Sequence, residues 1–578
     1  MKRWMKYVKP YWPFFVLGPL CMIVEVIGEV LMPRFLANII NMGKAGTLTV
    51  EYGIWQAALM VLTALLMMAG GVGGAWFGAK ASVNFAADLR QDVYARVQTF
   101  SFANIDKFST GSLVTRLTND VTQLQNFVNM LLRMFLRSPG MLIGALIMAI
   151  SLRPSLATVF AVSVPLMLLS ILFIIRTGFT RFAAMQTRID GLNNTVQENI
   201  TNVRVVKSFV REEHESKKFG TANRELKRAG VSAMSVMIFM QPVMTLFMNL
   251  TTAAVLWFGG NMVLAEGMPI GDLSAFITYV TQILFSLMMV TVMLMNSSRA
   301  LASARRIREV LDEETDIADN ATAEHRVQNG SVEFRGVGFR YYKNSEEPVL
   351  REINLRIEAG ETVGIIGSTG CGKTTLVSLI PRLYDTDAGA VLVDGVDVRD
   401  YPLHALRDGI GMVLQKNVLF SGSVAYNLRW GDEEASDEEL VAAAAHAQAD
   451  GFVRTFKEGY DTIIDQGGAN VSGGQKQRLC IARALLKRPK ILILDDSTSA
   501  VDTATEAQIR AAFAGELKDS TKIIIAQRIS SVMEADKIVV MDDGAVVDVG
   551  THGELLARCE AYGEIYYSQM EKEANDRG

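Results

Sequence analysis

A short glycine-rich stretch carries the clearest chemistry in the chain. Residues 367–375 read GSTGCGKTT, which fits the phosphate-binding pattern G-x-x-x-x-G-K-[ST]. In this pattern the glycines let backbone N–H groups close around phosphate oxygens, the amine of Lys373 reaches the outer phosphates, and the hydroxyl of Thr374 can bind Mg²⁺. An apolar strand is expected just before the stretch and a helix just after it, which is the context that the pattern requires. The residues expected to hold the nucleotide are Gly367, Ser368, Thr369, Gly370, Cys371, Gly372, Lys373, Thr374 and Thr375.

Two later segments complement this loop. Residues 491–495 (ILILD) read as a buried strand that ends in an acid, so Asp495 is expected to bind Mg²⁺ beside Thr374. Residues 471–475 (VSGGQ) form a glycine-rich turn that opens a helix, which is a second anion site. The residues expected there are Ser472, Gly473, Gly474 and Gln475. Together the segments predict an ATP-binding domain that uses Mg²⁺.

The elements that precede these motifs are apolar. Half of the 578 residues are hydrophobic, and they concentrate in the first 300. Six stretches there are long enough to span a bilayer, near residues 13–40, 54–80, 127–152, 155–177, 233–264 and 272–298. The long loops at 81–126 and 178–232 are rich in Arg and Lys, which places them, the N-terminus and the C-terminal half in the cytoplasm. The net charge of −4 does not suggest a nucleic-acid partner.

Both long loops have apolar residues at helical spacing, so each is expected to be a helical hairpin that extends from the spans. Arms of about 20 residues would reach about 30 Å below the membrane. The tips lie near Ile105–Leu113 and Val203–Phe219. They are either solvated stalks or surfaces that contact the ATP domain, and we favour the second interpretation.

The expected fold is therefore an α-helical six-span transmembrane domain joined to an α/β P-loop nucleotide-binding domain. We predict a transmembrane domain over residues 1–311 and a polar linker over 312–330. The nucleotide-binding domain follows over 331–567, and a C-terminal tail over 568–578.

These motifs resemble the ABC transporter family, in particular the exporters in which six spans are fused to an ATP domain. VSGGQ is similar to the family's LSGGQ signature. The resemblance implies that Tyr341 stacks on adenine, that Gln415 lies near Mg²⁺, and that Asp502 is the D-loop aspartate. It also implies that two ATP domains pair, each ATP lying between the P-loop of one chain and the signature of the other. The two loop tips then resemble coupling helices.

Two positions depart from the family pattern. The Walker B aspartate of the family corresponds to Asp495. The next residue in the family is normally a glutamate that orients the attacking water. Here it is Asp496, whose side chain is one methylene shorter and reaches about 1.5 Å less far. The switch histidine is replaced by Gln527, which can hydrogen-bond but cannot become charged. Separately, Gln466 stands in the loop before the signature where exporters often carry a glutamate, which concerns communication with the spans rather than hydrolysis. We expect a site that binds ATP but hydrolyses it slowly, as in the less active subunit of a bacterial heterodimeric multidrug exporter. The implied partner is a homologous half-transporter with Glu and His at the two altered positions.

Charged residues within the spans suggest a site for cargo. Glu25 and Glu29 share one face of the first span, and Arg133 and Arg137 share a face of the third. The glutamates either pair with arginines of another helix or line a cavity for cationic amphiphiles. A Met-rich sixth span also suits hydrophobic cargo, although methionine is an ordinary residue of a membrane core.

The leading hypothesis is a subunit of an exporter in the inner membrane of a prokaryote that moves hydrophobic or amphiphilic compounds, drug-like or lipid-like. A lipid flippase of the same architecture and an ATP-gated channel or regulatory subunit are the alternatives.

Cys371 is either a small residue in a tight turn, which we favour, or a reactive thiol that ATP would protect.

Overall fold

The structure is a computed structural model that describes residues 2–320, 324–342, 345, 347–496 and 503–576. It divides into two compact units, one made of Met1–Gln98 with Thr110–Asp312 and the other of Thr99–Ser109 with Glu313–Gly578. Each unit has its own hydrophobic core.

Long helices build the first unit. In chain order the helices up to residue 312 are α1 (Lys2–Val8), α2 (Trp12–Lys44), α3 (Val50–Gln98), α4 (Phe102–Phe108), α5 (Thr110–Thr115), α6 (Val121–Met134), α7 (Arg137–Leu152), α8 (Pro154–Thr201), α9 (Val203–Ser208), α10 (Glu212–Leu264) and α11 (Ile270–Asp312). Of these, α4 belongs to the second unit. In the part of the chain that the structure describes, six helical segments are long and apolar enough to cross a membrane. The six expected spans are therefore present, and α3, α8 and α10 continue well past the apolar stretches, as the hairpin prediction requires.

The third span is broken rather than continuous. It ends as α6 at Met134 and resumes as α7 at Arg137. Pro139 explains the break, because proline has no N–H to donate to the carbonyl of Phe135 one turn earlier. Arg133 and Arg137 lie on either side of this interruption, and the two residues between α6 and α7 keep right-handed helical dihedrals.

Strands and short helices alternate in the second unit. Its strands are β1 (Val332–Phe339), β2 (Leu350–Ile357), β3 (Thr362–Gly367), β4 (Ala388–Val393), β5 (Val396–Asp397), β6 (Ile410–Val413), β7 (Gly422–Ser423), β8 (Ile463–Ile464), β9 (Ile491–Asp495), β10 (Thr521–Ile525), β11 (Lys537–Asp542) and β12 (Ala545–Gly550). Its helices after α4 are α12 (Lys373–Ser378), α13 (Leu403–Asp408), α14 (Val424–Leu428), α15 (Asp437–His446), α16 (Asp450–Val453), α17 (Gly473–Leu486), α18 (Thr503–Glu516), α19 (His552–Arg558) and α20 (Glu560–Asp576).

Six of these strands form the sheet that positions the motifs. Its order is β12-β11-β3-β10-β9-β6, parallel except for β12. The near-continuous Ile, Leu and Val runs of β9 and β10 are fully buried, which is typical of a parallel sheet that is covered on both faces. Ile525 at the end of β10 is in register with Ile365 of β3 and Asp495 of β9. The three segments that follow these strands therefore meet at one carboxyl edge, where ligands of α/β sheets bind.

Candidate nucleotide-binding site

A cavity of about 650 Å³ opens at this carboxyl edge of the sheet. Most of the residues predicted to bind the nucleotide or the metal line it, from Tyr341 through the P-loop to Gln415, Asp495, Asp496 and Gln527. Cys371 is the P-loop residue that does not line the cavity. It is 4% exposed and packs in the core, so the small-residue interpretation fits and a freely reactive thiol does not.

The P-loop needs glycine at the positions where its backbone turns. Gly370 and Gly372 have φ of +89° and +95°, in the left-handed region that favours glycine. A Cβ on Gly367 would lie 2.0 Å from the carbonyl oxygen of Met541, and one on Gly372 would lie 2.8 Å from Cδ2 of Leu350. The loop is therefore held close against neighbouring strands with its N–H groups available to an anion.

Lys373 is folded back into this loop. Its Nζ donates to the carbonyl oxygens of Gly367 and Ser368, both at 2.8 Å. The amine thus lies within the curve that backbone N–H groups surround. A triphosphate entering the cavity would meet this positive charge directly.

Thr374 and Asp495 provide a fitting pair of ligands for Mg²⁺. The Thr374 Oγ1 donates to Asp495 Oδ1 at 2.9 Å. Asp495 Oδ2 is buried and has no hydrogen-bond partner among the described residues. Burial raises the pKa of Asp495, with the hydrogen bond from Thr374 acting in the opposite direction. A buried carboxylate oxygen with free lone pairs beside a hydroxyl is the kind of oxygen donor set that binds a small divalent cation.

The two residues that depart from the family pattern are bonded to each other. Gln527 Nε2 donates to Asp496 Oδ2 at 2.7 Å, and the side chain of Gln415 also hydrogen-bonds to Asp496. Burial raises the pKa of Asp496, while these two amides lower it. Asp496 has φ of +49°, and its N–H donates to the carbonyl of Ile525 at 3.0 Å. A short carboxylate is therefore held between two neutral amides.

The aromatic side of the cavity is formed by Tyr341. Its ring is 40% exposed, and its Oη lies 2.9 Å from Thr375 Oγ1. Phe339 and Tyr384 support the ring edge-to-face at centroid distances of 5.0 and 5.2 Å. An exposed face with supported edges is suited to stacking on a purine.

The VSGGQ segment lies at the start of α17. Ser472 Oγ accepts from the N–H of Gln475 at 3.3 Å, and Gln475 Oε1 accepts from the N–H of Ser472 at 2.9 Å, which is a capping box. Gly473 has open space around a Cβ position. The start of a 14-residue helix is thus rigidly capped, with Gly473 uncovered. The remaining predicted site residue, Asp502, lies outside the described residues.

Comparison with known proteins identifies the family. The model of the ABC transporter transmembrane region matches residues 15–288, and the model of the ABC transporter ATP domain matches residues 350–499. The chain is 38% identical over 576 residues to the uncharacterized ABC transporter ATP-binding protein YfiB of Bacillus subtilis, a match that covers 100% of both proteins. It is 35% identical over 489 residues to the ATP-dependent lipid A-core flippase of Syntrophus aciditrophicus, covering 84% of this chain and 81% of that protein. The chain belongs to the ABC transporter family.

A solved structure agrees with this assignment. A bacterial Atm1-family ABC exporter with ATP bound superposes with a TM-score of 0.79 at 26% identity, covering 96% of this chain and 98% of that one. The expected fusion of an α-helical transmembrane domain to an α/β ABC ATP domain is confirmed. The chain is a multi-pass membrane protein of the ABC exporter type.

In this ABC exporter the candidate cargo residues lie in an ion-pair cluster of the first unit. Nη2 of Arg137 lies 3.1 Å from Glu25 Oε1 and 3.2 Å from Glu29 Oε2. The side chain of Gln282 donates to the backbone carbonyl of Glu29 at 2.9 Å. One guanidinium thus pairs with two carboxylates on another helix, and the three side chains together carry a formal net charge of −1.

Sequence reasoning missed one side of the nucleotide cavity in this ABC exporter. Helix α20 lines it with Ala561, Glu564, Ile565 and Gln569, although residues 568–578 were expected to form a tail. A signal was present, since Tyr562, Ile565, Tyr566 and Gln569 follow the i, i+3, i+4, i+7 spacing of one helix face. Without the tertiary structure nothing indicates that Gln569 and its neighbours on this helix line the nucleotide cavity.

Proposed function

We propose that this chain is one half of a heterodimeric, ATP-driven exporter whose own site holds ATP and hydrolyses it slowly. The observation that carries the proposal is the 2.7 Å hydrogen bond between Gln527 and Asp496. The carboxylate that would orient the attacking water is both shorter than the usual glutamate and engaged by amides of Gln527 and Gln415. A misplacement of about 1 Å can cost on the order of 10²-fold in rate.

Other residues of the site support ATP binding. The P-loop glycines, the inward-folded amine of Lys373 and the exposed ring of Tyr341 favour a bound nucleotide. When bound, Mg²⁺ would neutralise the charge of the outer phosphates, and Thr374 and Asp495 would hold it with Gln415 nearby. We therefore infer strong ATP binding with weak turnover, and Asp502 is proposed as the D-loop residue of the same site.

The VSGGQ signature segment supports pairing with a second, homologous chain. The capped, uncovered start of α17, residues Ser472 to Gln475, is suited to anion binding in a second nucleotide site. We propose that it completes the site of a homologous chain that carries Glu and His at the positions of Asp496 and Gln527. Turnover at that faster site would drive transport by the pair.

The proposed membrane is the inner membrane of a prokaryote, with the N-terminus and the ATP domain in the cytoplasm. Its support is the excess of Arg and Lys in the two long interhelical loops. In this scheme the transmembrane domain comprises residues 1–311, the linker 312–330, and the ATP domain 331–567 followed by the C-terminal segment.

The proposed cargo is hydrophobic or amphiphilic, drug-like or lipid-like. The net negative cluster of Glu25, Glu29 and Arg137 favours amphiphiles with a cationic group. Lipid flipping is the second candidate function, because one relative is named as a lipid A-core flippase.

Two assays distinguish export of cationic amphiphiles from lipid flipping. One follows transport of a cationic dye into inverted vesicles, and the other follows movement of a fluorescent lipid between leaflets. Glu25→Gln should lower dye transport severalfold, and unchanged transport would remove the charge argument.

The hydrolysis proposal is tested by restoring the usual residues. ATP binding and phosphate release are measured for four purified proteins: the unmodified chain, Asp496→Glu, Gln527→His and the double variant. We expect binding to stay within about twofold and release to rise about 10-fold or more in the double variant, since attack geometry is recovered. Lys373→Ala in each background shows that the signal arises at this site. Rapid turnover by the unmodified chain alone would contradict the proposal.

A further inference from the structure

Helix α20 is anchored firmly beside the nucleotide site. Tyr562 is fully buried, and its Oη lies 2.7 Å from Nδ1 of His552. Ile565 and Tyr566 pack against the core of the unit. The helix is therefore a fixed platform, and its next turn presents Gln569 to the loop that follows β10.

The amide of Gln569 binds this loop on both sides of Arg528. Its Nε2 donates to the backbone carbonyl of Gln527 at 2.8 Å, and its Oε1 accepts from the N–H of Ile529 at 2.9 Å. Both polar atoms of one side chain are thus used on main-chain groups two residues apart. A glutamine is needed for this pair of bonds, because a carboxylate has no donor and asparagine is about 1.5 Å shorter.

The loop held in this way carries the switch residue itself. Beyond its bonded backbone, the Gln527 side chain reaches Asp496 at 2.7 Å. Asp496 is bonded in turn through its N–H to Ile525, which ends β10. The position of the Gln527 side chain therefore depends on a loop of a few residues that is fixed at one end by the sheet and at the other by Gln569.

We propose that Gln569 is a positioning residue for Gln527, holding the main chain of residues 527–529 so that the side chain at 527 stays beside Asp496 in the nucleotide cavity. This inference rests on the proposed role of Gln527 in the nucleotide site. Gln569 acts through the loop, and its own side-chain amide is occupied by main-chain groups.

A direct test of the positioning step uses hydrogen exchange in the full-length protein. In Gln569→Ala the amide of Ile529 loses its acceptor, so exchange in the peptide covering 526–531 should speed up about 5-fold. Peptides from β3 and β9 should stay unchanged. The matched control is Ser568→Ala, an exposed neighbour on the same helix. Unchanged exchange at 526–531, or an equal effect of the control, overturns the proposal.

A functional test uses the same substitution in the Asp496→Glu, Gln527→His background. We expect kcat to fall about 10-fold while the KM for ATP stays within twofold, because the binding loop is untouched. Gln569→Glu keeps the acceptor for Ile529 and loses the donor to residue 527. Its kcat should therefore lie between those of the double-variant background and of Gln569→Ala in that background. It replaces the alanine variant if that variant does not fold. A lowered melting temperature with unchanged kcat would show a purely structural role and overturn the inference. If the double background itself gains no activity, the function proposal fails and the exchange result still decides the positioning step.

Discussion

The phenol of Tyr384 donates a hydrogen bond to Asp106 Oδ2 at 3.2 Å. Asp106 belongs to α4, the tip of the first long loop, which groups with the second unit. Burial, reinforced by the charge of Asp106, raises the pKa of Tyr384, so its hydroxyl stays protonated as a donor at physiological pH. The same ring supports Tyr341 edge-to-face at 5.2 Å. One side chain thus touches both the candidate adenine support and the loop tip.

This arrangement predicts a coupling defect for Tyr384→Phe. The ring is kept, so ATP binding should change by less than about twofold. The hydrogen bond to the Asp106 carboxylate is lost. Such a bond is worth about 1.5–3 kcal/mol when buried and less at this partly exposed site. Stimulation of ATPase activity by cargo should fall severalfold while basal activity stays. The measurement is ATPase activity with and without cargo in the reconstituted transporter. Tyr342→Phe, at a ring that is 70% exposed, is the control and should behave like the unmodified protein.

The Mg²⁺ ligand set predicts a separate effect for Asp495→Asn. The substitution keeps the size of the side chain but removes the negative charge whose Oδ2 has no protein partner among the described residues. Mg²⁺-dependent ATP binding should weaken about 10-fold or more, because a carboxylate is a preferred ligand of this cation. Binding measured in EDTA should change little. Titration of ATP with and without Mg²⁺ checks this, and equal loss in both conditions would indicate a folding defect instead.

The two sides of the nucleotide cavity differ in how well the sequence predicts them. The P-loop and Asp495 were predictable from local patterns, since the loop follows an apolar strand and Asp495 ends one, and parallel strands bring such ends to one edge. Gln527 was singled out only through the resemblance to the family. Gln569 was not predictable, since its role depends on a helix returning from the C-terminus to the sheet. Local pattern reports which residues can bind phosphate, and only tertiary packing reports what lies against them.

The membrane segments show the same division. Six apolar stretches predict six spans by length alone, and they are present. The break before Arg137 had a signal in Pro139, yet its consequence needed the structure. Arg137 meets both Glu25 and Glu29 because α7 approaches α2 there, and no spacing rule within one helix predicts a contact between helices.

The signature segment predicts a defect that acts on the partner. A Cβ on Gly473 meets no atom within 4 Å, so Gly473→Ala should fold normally and bind ATP at its own P-loop unchanged. In the proposed heterodimer it should reduce ATPase activity about 10-fold or more, because the substitution intrudes where the partner's phosphate would approach the helix N-terminus. ATPase assays of the co-purified pair test this. Gly451→Ala, also at a position with open space, is the matched control. Equal loss in both variants would contradict the proposed role.

Asp394 predicts a pH dependence of stability. Burial raises its pKa, but hydrogen bonds from the backbone N–H groups of residues 328–331, at 2.7–3.0 Å, outweigh burial and lower it below the usual value. A carboxyl whose folded pKa is depressed stabilises the fold above its unfolded pKa of about 3.9, and this stabilisation is lost as pH falls through the lower folded value. Asp394→Asn keeps one acceptor oxygen and should destabilise the ATP domain by about 1–3 kcal/mol at pH 7. Thermal unfolding of both proteins from pH 7 to pH 3 should show the difference shrinking at the acid end, and a difference that stays constant with pH would exclude the charge of Asp394 as its cause.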